Sequence, residues 1–229
     1  MQSQHVASAL RDVLEQGVLD GVAPGMACAV GDAEHVWSAY FGRHNSEVTS
    51  PLVDERTLWD IASLTKIVAT TNVVMLMHAT GGIDLDDTVQ RTVLEFVGDA
   101  KHEVTIRQLL EHTSGLAAYG DYTKYTNALE VKDEILRTEL MSRPGEKETY
   151  SCLGFVALAE VVERRDRLGL DRLFETLVAG PLALEDTFYK PKFEDRARCA
   201  PTERTTEWRV RLQDLRGFSR VSEKFVQGD

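Results

Sequence analysis

Residues 59–71 read WDIASLTKIVATT, and the apolar character of this segment continues to Met77. A helix that is apolar around its whole circumference is normally buried in the middle of a domain. Many of its residues are β-branched and are mediocre helix formers, so packing must supply much of its stability. We therefore predict a buried central helix over about residues 63–79, which Gly81 and Gly82 bring to an end.

Ser63 and Lys66 form a polar pair at the start of this predicted helix. Positions three apart share a helix face, so the serine hydroxyl and the lysine amine can meet. Burial disfavours the charged form of a lysine, and a neutral amine can take the proton of a serine hydroxyl. The pair therefore indicates a serine nucleophile for acyl transfer. Ser-x-x-Lys spacing also arises by chance, and a lysine near a helix end can extend to water, so a structural interpretation stays open.

Composition excludes several classes of function. The formal net charge of -11 leaves no basic stripe for nucleic-acid phosphates. The apolar run over residues 67–77 is too short to span a bilayer, and the N-terminus lacks the pattern of a signal peptide. Three cysteines without metal-type spacing fit a reducing compartment. We expect a soluble cytoplasmic protein that uses no metal and no organic cofactor and binds neither nucleic acid nor membrane.

The N-terminal part of the chain predicts a helix followed by a β-hairpin. Apolar residues recur at helical spacing between Val6 and Val18. Residues 26–30 and 34–41 are apolar runs on either side of turn-forming residues, which predicts two antiparallel strands over about residues 25–42.

Helical patterns dominate the chain after the central helix. Thr105 and Gln108 match a capping box, which predicts a helix start. His112 ends that helix; it is a conceivable base for Ser63, but we expect it to hydrogen-bond loop backbone. Further helices are predicted over residues 131–141 and 155–162.

Four segments of the chain occur together in a characteristic order. They are WDIASLTK at 59–66, TIRQLLEHTSGL at 105–116, PG at 144–145 ahead of YS at 150–151, and GPLALEDT at 180–187. Their combination resembles the serine β-lactamase-related family, which contains class C β-lactamases, D-alanyl-D-alanine peptidases and related esterases. The resemblance covers about residues 6–203 and is far more specific than any single motif.

The resemblance implies an α/β (α+β) fold of the β-lactamase/D-alanyl-D-alanine-peptidase type, with a helical subdomain packed on an antiparallel sheet. Residues 1–203 would form this domain, with the hairpin at about 25–42, the nucleophile helix at about 63–79 and a helical region at about 80–190. Residues 204–229 would form a divergent tail, in which an amphipathic helix is suggested by Leu212, Leu215, Phe218, Val221 and Phe225.

The resemblance also implies catalytic roles for three residues. Ser63 matches the acylated nucleophile, and its own backbone N–H, near the positive end of a helix, would be one oxyanion-hole donor. Lys66 matches the lysine that helps to deprotonate the serine. Tyr150 matches the tyrosine that moves a proton between the nucleophile and the leaving group, a role that suits a phenol held beside an ammonium.

Two departures from the family pattern bear on activity. Cys152 stands in the substrate-binding position where the family often has asparagine, and a thiol is a weak hydrogen-bonding group. After Tyr150 the chain contains no Lys-Thr-Gly, Lys-Ser-Gly or His-x-Gly triplet. In the family this triplet lies on a C-terminal strand that supplies the second oxyanion donor, and losing one such donor typically costs about 10² to 10³ in rate.

The missing strand segment leaves two hypotheses for function. The first is a serine hydrolase that acts on small esters or amides, esterase-like, through an acyl-enzyme on Ser63 and with a small acyl compound as its partner. The second is a catalytically impaired pseudoenzyme or binding fragment of the same fold. In either case the hairpin would lack strands to complete its sheet and would keep an exposed edge. That edge would lead either to self-association or to coverage by a partner chain.

Overall fold

The computed structural model describes residues 2–122, 124–125 and 127–202, with side chains from residue 6 onward. The proposed amphipathic helix of the tail lies outside these residues. Within them the chain forms two compact units, one made of residues 2–60 and 190–202 and the other lying within residues 61–189. None of the described helices combines the length and apolar character that crossing a bilayer requires.

The first unit contains a helix and the predicted hairpin. Helix α1 (Gln2–Leu19) is followed by strands β1 (Gly25–Gly31) and β2 (Val36–Gly42), which pair antiparallel. One face of the hairpin lies against α1, where the Arg11 guanidinium sits 5.8 Å from the centre of the Phe41 ring. Since β1 and β2 form a two-stranded sheet among the described residues, the outer edge of β1 has no strand beside it. The self-association that this edge suggests stays a prediction.

The first unit also contains the segments at residues 43–60 and 190–202. Leu58 N–H donates to the Arg198 carbonyl at 2.9 Å, and Ala200 N–H donates to the Leu58 carbonyl at 2.9 Å. These two bonds form a short parallel bridge beside the 3₁₀ turn Phe193–Arg198.

The second unit is helical and contains most of the hydrophobic core. Its α-helices are α2 (Thr71–Ala79), α3 (Ile106–Leu110), α4 (Ala128–Arg137), α5 (Cys152–Asp166) and α6 (Leu170–Phe174). Shorter turns lie at Ala62–Leu64, Lys66–Thr70, Val89–Arg91, Lys101–Glu103 and Glu175–Ala179. Helix α4 begins and ends earlier than the predicted 131–141, because Asn127 caps its first turn and Thr138 is already extended at ψ 130°.

The predicted central helix exists, but its expected burial all around is wrong. Residues 62–79 form one continuous helical run, which passes from a 3₁₀ turn through a π-helical segment into α2. The inner face is buried at Ala69, Thr70, Val73, Val74 and Met77. The outer face remains exposed at Leu64, Ile67 and Met75, which are 55%, 60% and 55% accessible. Only one face of the run packs on the core of its unit, so apolar composition alone overestimated its burial.

One lysine is fully buried in the second unit. The Lys101 ammonium donates to the carbonyl of Leu136, in the last turn of α4, at 2.7 Å. It also lies 4.4 Å from the centre of the Phe96 ring. Burial lowers the pKa of Lys101 to about 8, and the negative charge of Glu139 partly opposes that shift. The lysine therefore ties the end of α4 to the core through its charged tip.

Candidate active site

Ser63 is presented by the 3₁₀ turn Ala62–Leu64 at the start of the helical run. Ala62, the residue before it, has φ +45°, a left-handed conformation that is uncommon for a residue with a side chain. Ser63 is exposed to solvent. In the first turn of a helix the backbone N–H groups have no intrahelical acceptor, so the Ser63 N–H has the position expected of an anion donor.

Lys66 lies at the centre of the site. Its Nζ donates to Ser63 Oγ at 3.3 Å, which is the i, i+3 contact that the spacing predicts. The same Nζ lies 3.5 Å from Cys152 Sγ and 4.9 Å from the centre of the Tyr150 ring. The expected burial of Lys66 is wrong, because the side chain is only half-buried. Its Nζ contacts the side chains of three neighbours, Ser63, Tyr150 and Cys152.

A π-helical segment, Lys66–Thr70, follows the nucleophile turn. Its wider turn bonds Thr71 N–H to the carbonyl of Lys66, five residues back. The carboxamide of Asn72 donates to two backbone carbonyls inside this segment, those of Ile67 at 2.8 Å and Val68 at 3.0 Å. Single π turns inside helices occur frequently at functional sites. Sequence analysis missed this feature, although a polar Asn72 within an apolar run was a visible signal.

Tyr150 lies two residues before α5, and its side chain meets both Ser63 and Lys66. Its hydrogen bonds with Lys66, and secondly with Ser63, hold the pKa of the Tyr150 phenol below its ordinary value. The phenol is half exposed, at 51%. Ser151 caps the first turn of α5 by accepting from Gly154 N–H at 2.9 Å, and its own hydroxyl donates to Ala117 O at 2.6 Å. The helix cap therefore fixes the backbone immediately after the tyrosine.

Cys152 is the first residue of α5 and lies beside the lysine. Its backbone N–H donates to the carbonyl of Ala118 at 2.7 Å, and its thiol accepts from Lys66 Nζ at 3.5 Å. The structure thus brings together all four residues that sequence analysis selected: Ser63, Lys66, Tyr150 and Cys152. Contact of Cys152 with a substrate stays a prediction.

His112 lies against Tyr150 and bonds the loop backbone, as the sequence suggested. Its carbonyl accepts from Thr149 N–H at 2.8 Å, and its Nδ1 accepts from Ser151 N–H at 3.0 Å. Its ring lies 4.6 Å from the Tyr150 ring and 5.1 Å from the Phe155 ring, centre to centre. Burial, and secondly the charge of Lys66, lower the pKa of His112, while Glu148 opposes them.

The assembled groups suit nucleophilic acyl transfer. A hydroxyl, an ammonium and a phenol of lowered pKa meet at an exposed position, which is the arrangement of a nucleophile with a base held by a cation. Among the described residues, His, Cys, Asp and Glu side chains form no group of three or more that could hold a metal ion.

Comparison with known sequences identifies relatives of this chain. The sequence model of the beta-lactamase family matches residues 10–220. A Salmonella agona protein, provisionally named a D-alanyl-D-alanine carboxypeptidase, is 29% identical over 154 residues, which cover 61% of this chain and 36% of that protein. A Salmonella typhimurium protein of the same provisional name is 30% identical over 149 residues, covering 59% and 34%.

Solved structures share the fold. A class C beta-lactamase superposes with a TM-score of 0.78 at 18% identity, over 90% of this chain and 56% of that chain. EstCE1, described as a hydrolase with promiscuous acyltransferase activity, gives 0.75 at 26% identity, over 88% and 57%. A Yersinia pestis beta-lactamase/D-alanine carboxypeptidase gives 0.72 at 23% identity, over 86% and 59%. The chain thus spans about a third of the length of the curated relatives and somewhat over half of these solved chains.

Proposed function

Because the chain belongs to the beta-lactamase family of serine hydrolases, we propose that it hydrolyses small esters through an acyl-enzyme on Ser63. The observation that carries this proposal is the 3.3 Å contact between Lys66 Nζ and Ser63 Oγ, with the Tyr150 phenol bonded to both residues. A serine hydroxyl is a weak nucleophile by itself, and a neighbouring base and cation are what activate it.

Acylation begins when Ser63 Oγ attacks the ester carbonyl carbon. The hydroxyl proton passes to the Tyr150 phenolate, which the Lys66 ammonium stabilises by a hydrogen bond. Negative charge develops on the carbonyl oxygen, and the Ser63 backbone N–H can donate to it. The tetrahedral intermediate then collapses, the carbon–oxygen bond to the alcohol breaks, and the departing alkoxide takes the proton from Tyr150.

Deacylation reverses these roles. A water molecule attacks the acyl carbon, the regenerated Tyr150 phenolate takes its proton, and Ser63 leaves with that proton as the free hydroxyl. The products are a carboxylic acid and a free enzyme, so each turnover consumes one water. Ser63 is solvent-exposed, which gives water a direct approach to the acyl group.

The thiol of Cys152 and the chemistry of the leaving group favour esters over amides. Cys152 offers the substrate a weakly hydrogen-bonding thiol, and an amide gains more than an ester from strong hydrogen bonds around its N–H and carbonyl groups. An alkoxide is also a better leaving group than an amide nitrogen, so an ester places less demand on the oxyanion site. EstCE1, one of the similar solved structures at 26% identity, is described as a hydrolase with promiscuous acyltransferase activity.

The decisive experiment is covalent labelling of the purified chain with a fluorophosphonate, read by intact-mass spectrometry. We expect one adduct on the wild type and on Ser46→Ala, which removes an exposed loop serine, and none on Ser63→Ala. Hydrolysis of a p-nitrophenyl ester should fall to background in Ser63→Ala, a loss of at least about 10²-fold. An adduct on Ser63→Ala would contradict the assignment of the nucleophile.

A second candidate function is a catalytically impaired binding protein of the same fold. Residues 151–229 contain no Lys-Thr-Gly, Lys-Ser-Gly or His-x-Gly triplet, which supplies the second oxyanion donor in the family that the chain resembles. On this alternative the folded wild type would take up no fluorophosphonate and would hydrolyse no ester, although circular dichroism would show intact helices. An adduct on Ser63 would exclude it.

A further inference from the structure

Tyr150 is held in place by the residues on either side of it. Thr149 N–H donates to the His112 carbonyl at 2.8 Å, and Ser151 N–H donates to His112 Nδ1 at 3.0 Å. A single residue therefore accepts from both neighbours of the tyrosine. Removing either bond would free the backbone on one side of Tyr150.

The imidazole also supports the phenol ring directly. The two ring centres are 4.6 Å apart, with the planes tilted by 42°. The Phe155 ring lies on the His112 ring at 5.1 Å, so the imidazole is packed between two aromatic groups and is half-buried. Aromatic pairs in this distance range stabilise each other beyond simple burial.

The hydrogen bond fixes the protonation state of the imidazole. Nδ1 can accept from Ser151 N–H only when it carries no proton, so the proton of the neutral ring is on Nε2. A protonated ring would place two donors against each other at 3.0 Å. His112 also has φ +59°, a conformation that few side-chain-bearing residues except asparagine adopt readily.

From this geometry we propose that neutral His112 is a positioning residue, which holds Tyr150 in the pose that meets Lys66 and Ser63. The proposal rests on the function proposed above, and it adds a residue that touches neither the substrate nor the reacting atoms. Protonation of the ring releases Ser151 N–H, loosens the tyrosine and makes acylation sensitive to acid.

Two charged groups act on the His112 ring, Lys66 from the π-helical segment and Glu148 from the segment before α5. The Tyr150 ring packs against the same imidazole at 4.6 Å. Burial and the positive charge of Lys66 lower the pKa of His112, and Glu148 raises it. The net direction is downward, so the imidazole stays neutral to more acid pH than an ordinary histidine does.

Two variants separate the acceptor from the backbone conformation. His112→Asn places a carboxamide oxygen near the position of Nδ1, tolerates the left-handed conformation and does not titrate. His112→Gly accepts the same conformation but removes both the acceptor and the ring. Fluorophosphonate acylation of the full chain would be timed by intact mass between pH 4.5 and 8.

We expect His112→Asn to acylate near the wild-type rate at pH 7.5 and His112→Gly to be about 10- to 100-fold slower, as for other small displacements of a catalytic group. Below the His112 pKa the wild-type rate should fall more steeply than the roughly tenfold per pH unit that one titrating base gives. His112→Asn should keep the shallower slope. Equal rates and equal slopes in all three proteins would overturn the proposal.

A second measurement does not depend on catalysis. The Tyr150 phenol can be titrated by NMR after carbon-13 labelling of tyrosine, with Tyr150→Phe assigning the signal. We expect the Tyr150 pKa to stay low in His112→Asn and to rise toward about 10 in His112→Gly, as the contact with Lys66 weakens. If the wild type takes up no fluorophosphonate but the Tyr150 pKa still rises in His112→Gly, the proposed hydrolase is refuted and the positioning role is supported. If the Tyr150 titration is unchanged in His112→Gly, the positioning role is wrong.

Discussion

At the scale of single residues, the site depends on the contacts that the Lys66 side chain makes with its neighbours. Lys66 Nζ contacts Ser63 Oγ, Cys152 Sγ and the face of the Tyr150 ring, and it serves the phenol by favouring its ionised form. The Ser63–Lys66 contact followed from the i, i+3 spacing alone. Tyr150 could not be placed that way, because it lies far along the chain and no helical period connects it to Ser63. Only its family resemblance selected it.

Tyr150 gives a prediction for pH dependence. The hydrogen bonds from Lys66 and then Ser63 favour the phenolate and lower the Tyr150 pKa, so the phenolate fraction rises with pH and levels off above that lowered value. Acylation of Ser63 should follow the same curve between pH 6 and 10. Tyr150→Phe should slow the acylation of Ser63 by about 10²- to 10⁴-fold. The rate of this variant should also no longer rise with pH. Timed labelling of both proteins across that range is the measurement, and a Tyr150→Phe curve that parallels the wild type would assign the base elsewhere.

At the scale of elements, sequence motifs predicted the structure correctly where hydrogen bonds between near neighbours in the chain determine it. The Thr105 capping box is formed as predicted: Thr105 Oγ1 accepts from Gln108 N–H at 3.2 Å, and Gln108 Oε1 accepts from Thr105 N–H at 3.0 Å. The burial of the central run was overestimated, because composition cannot indicate which faces of a helix find a packing partner. The π turn was missed because i→i+5 bonding leaves no hydrophobic period to detect.

The capping box gives a prediction for stability. Thr105→Ala removes the acceptor for Gln108 N–H at the start of α3 and should lower the free energy of unfolding by about 0.5–2 kcal/mol. Thr105→Ser keeps the hydroxyl and should retain most of that stability. Urea unfolding followed by circular dichroism gives both values. Equal losses in the two variants would show that the Thr105 methyl group, rather than the cap, is responsible.

At the scale of the whole molecule, the β-hairpin is the feature with consequences for assembly. The strand register and two flanking bonds show which residue pairs exchange ladder hydrogen bonds. These bonds run from Asp32 N–H to His35 O and from Arg43 N–H to Pro24 O. Alternation from these ends makes Cys28–Ala39 a bonded pair and Ala29–Ser38 a non-bonded pair. The N–H of Ala29 therefore points away from β2, toward the edge that no other strand of the described residues covers. The hairpin itself was predictable from two apolar runs and a turn, whereas this edge pattern required the observed register.

The open edge predicts self-association of the purified chain. We expect a concentration-dependent shift to larger species in sedimentation velocity, because an unpaired strand edge can bond a second copy. Ala29→Pro removes the outward N–H without breaking a ladder bond inside the hairpin, so it should reduce the association. Ala29→Ser keeps the N–H and should behave as the wild type. Identical sedimentation of the proline variant and the wild type would mean that this edge is not the contact.

The buried Lys101 has a practical consequence for the study of motion in this protein. Its amine is 0% accessible and is held by the Leu136 carbonyl, so an amine-reactive acetylating reagent can modify it only when the surrounding structure opens. Surface lysines would be modified at once and would serve as an internal reference. The rate of Lys101 acetylation, followed by peptide mapping, would thus report how often the structure around α4 opens. The native sequence supplies this probe, so no engineered label is needed.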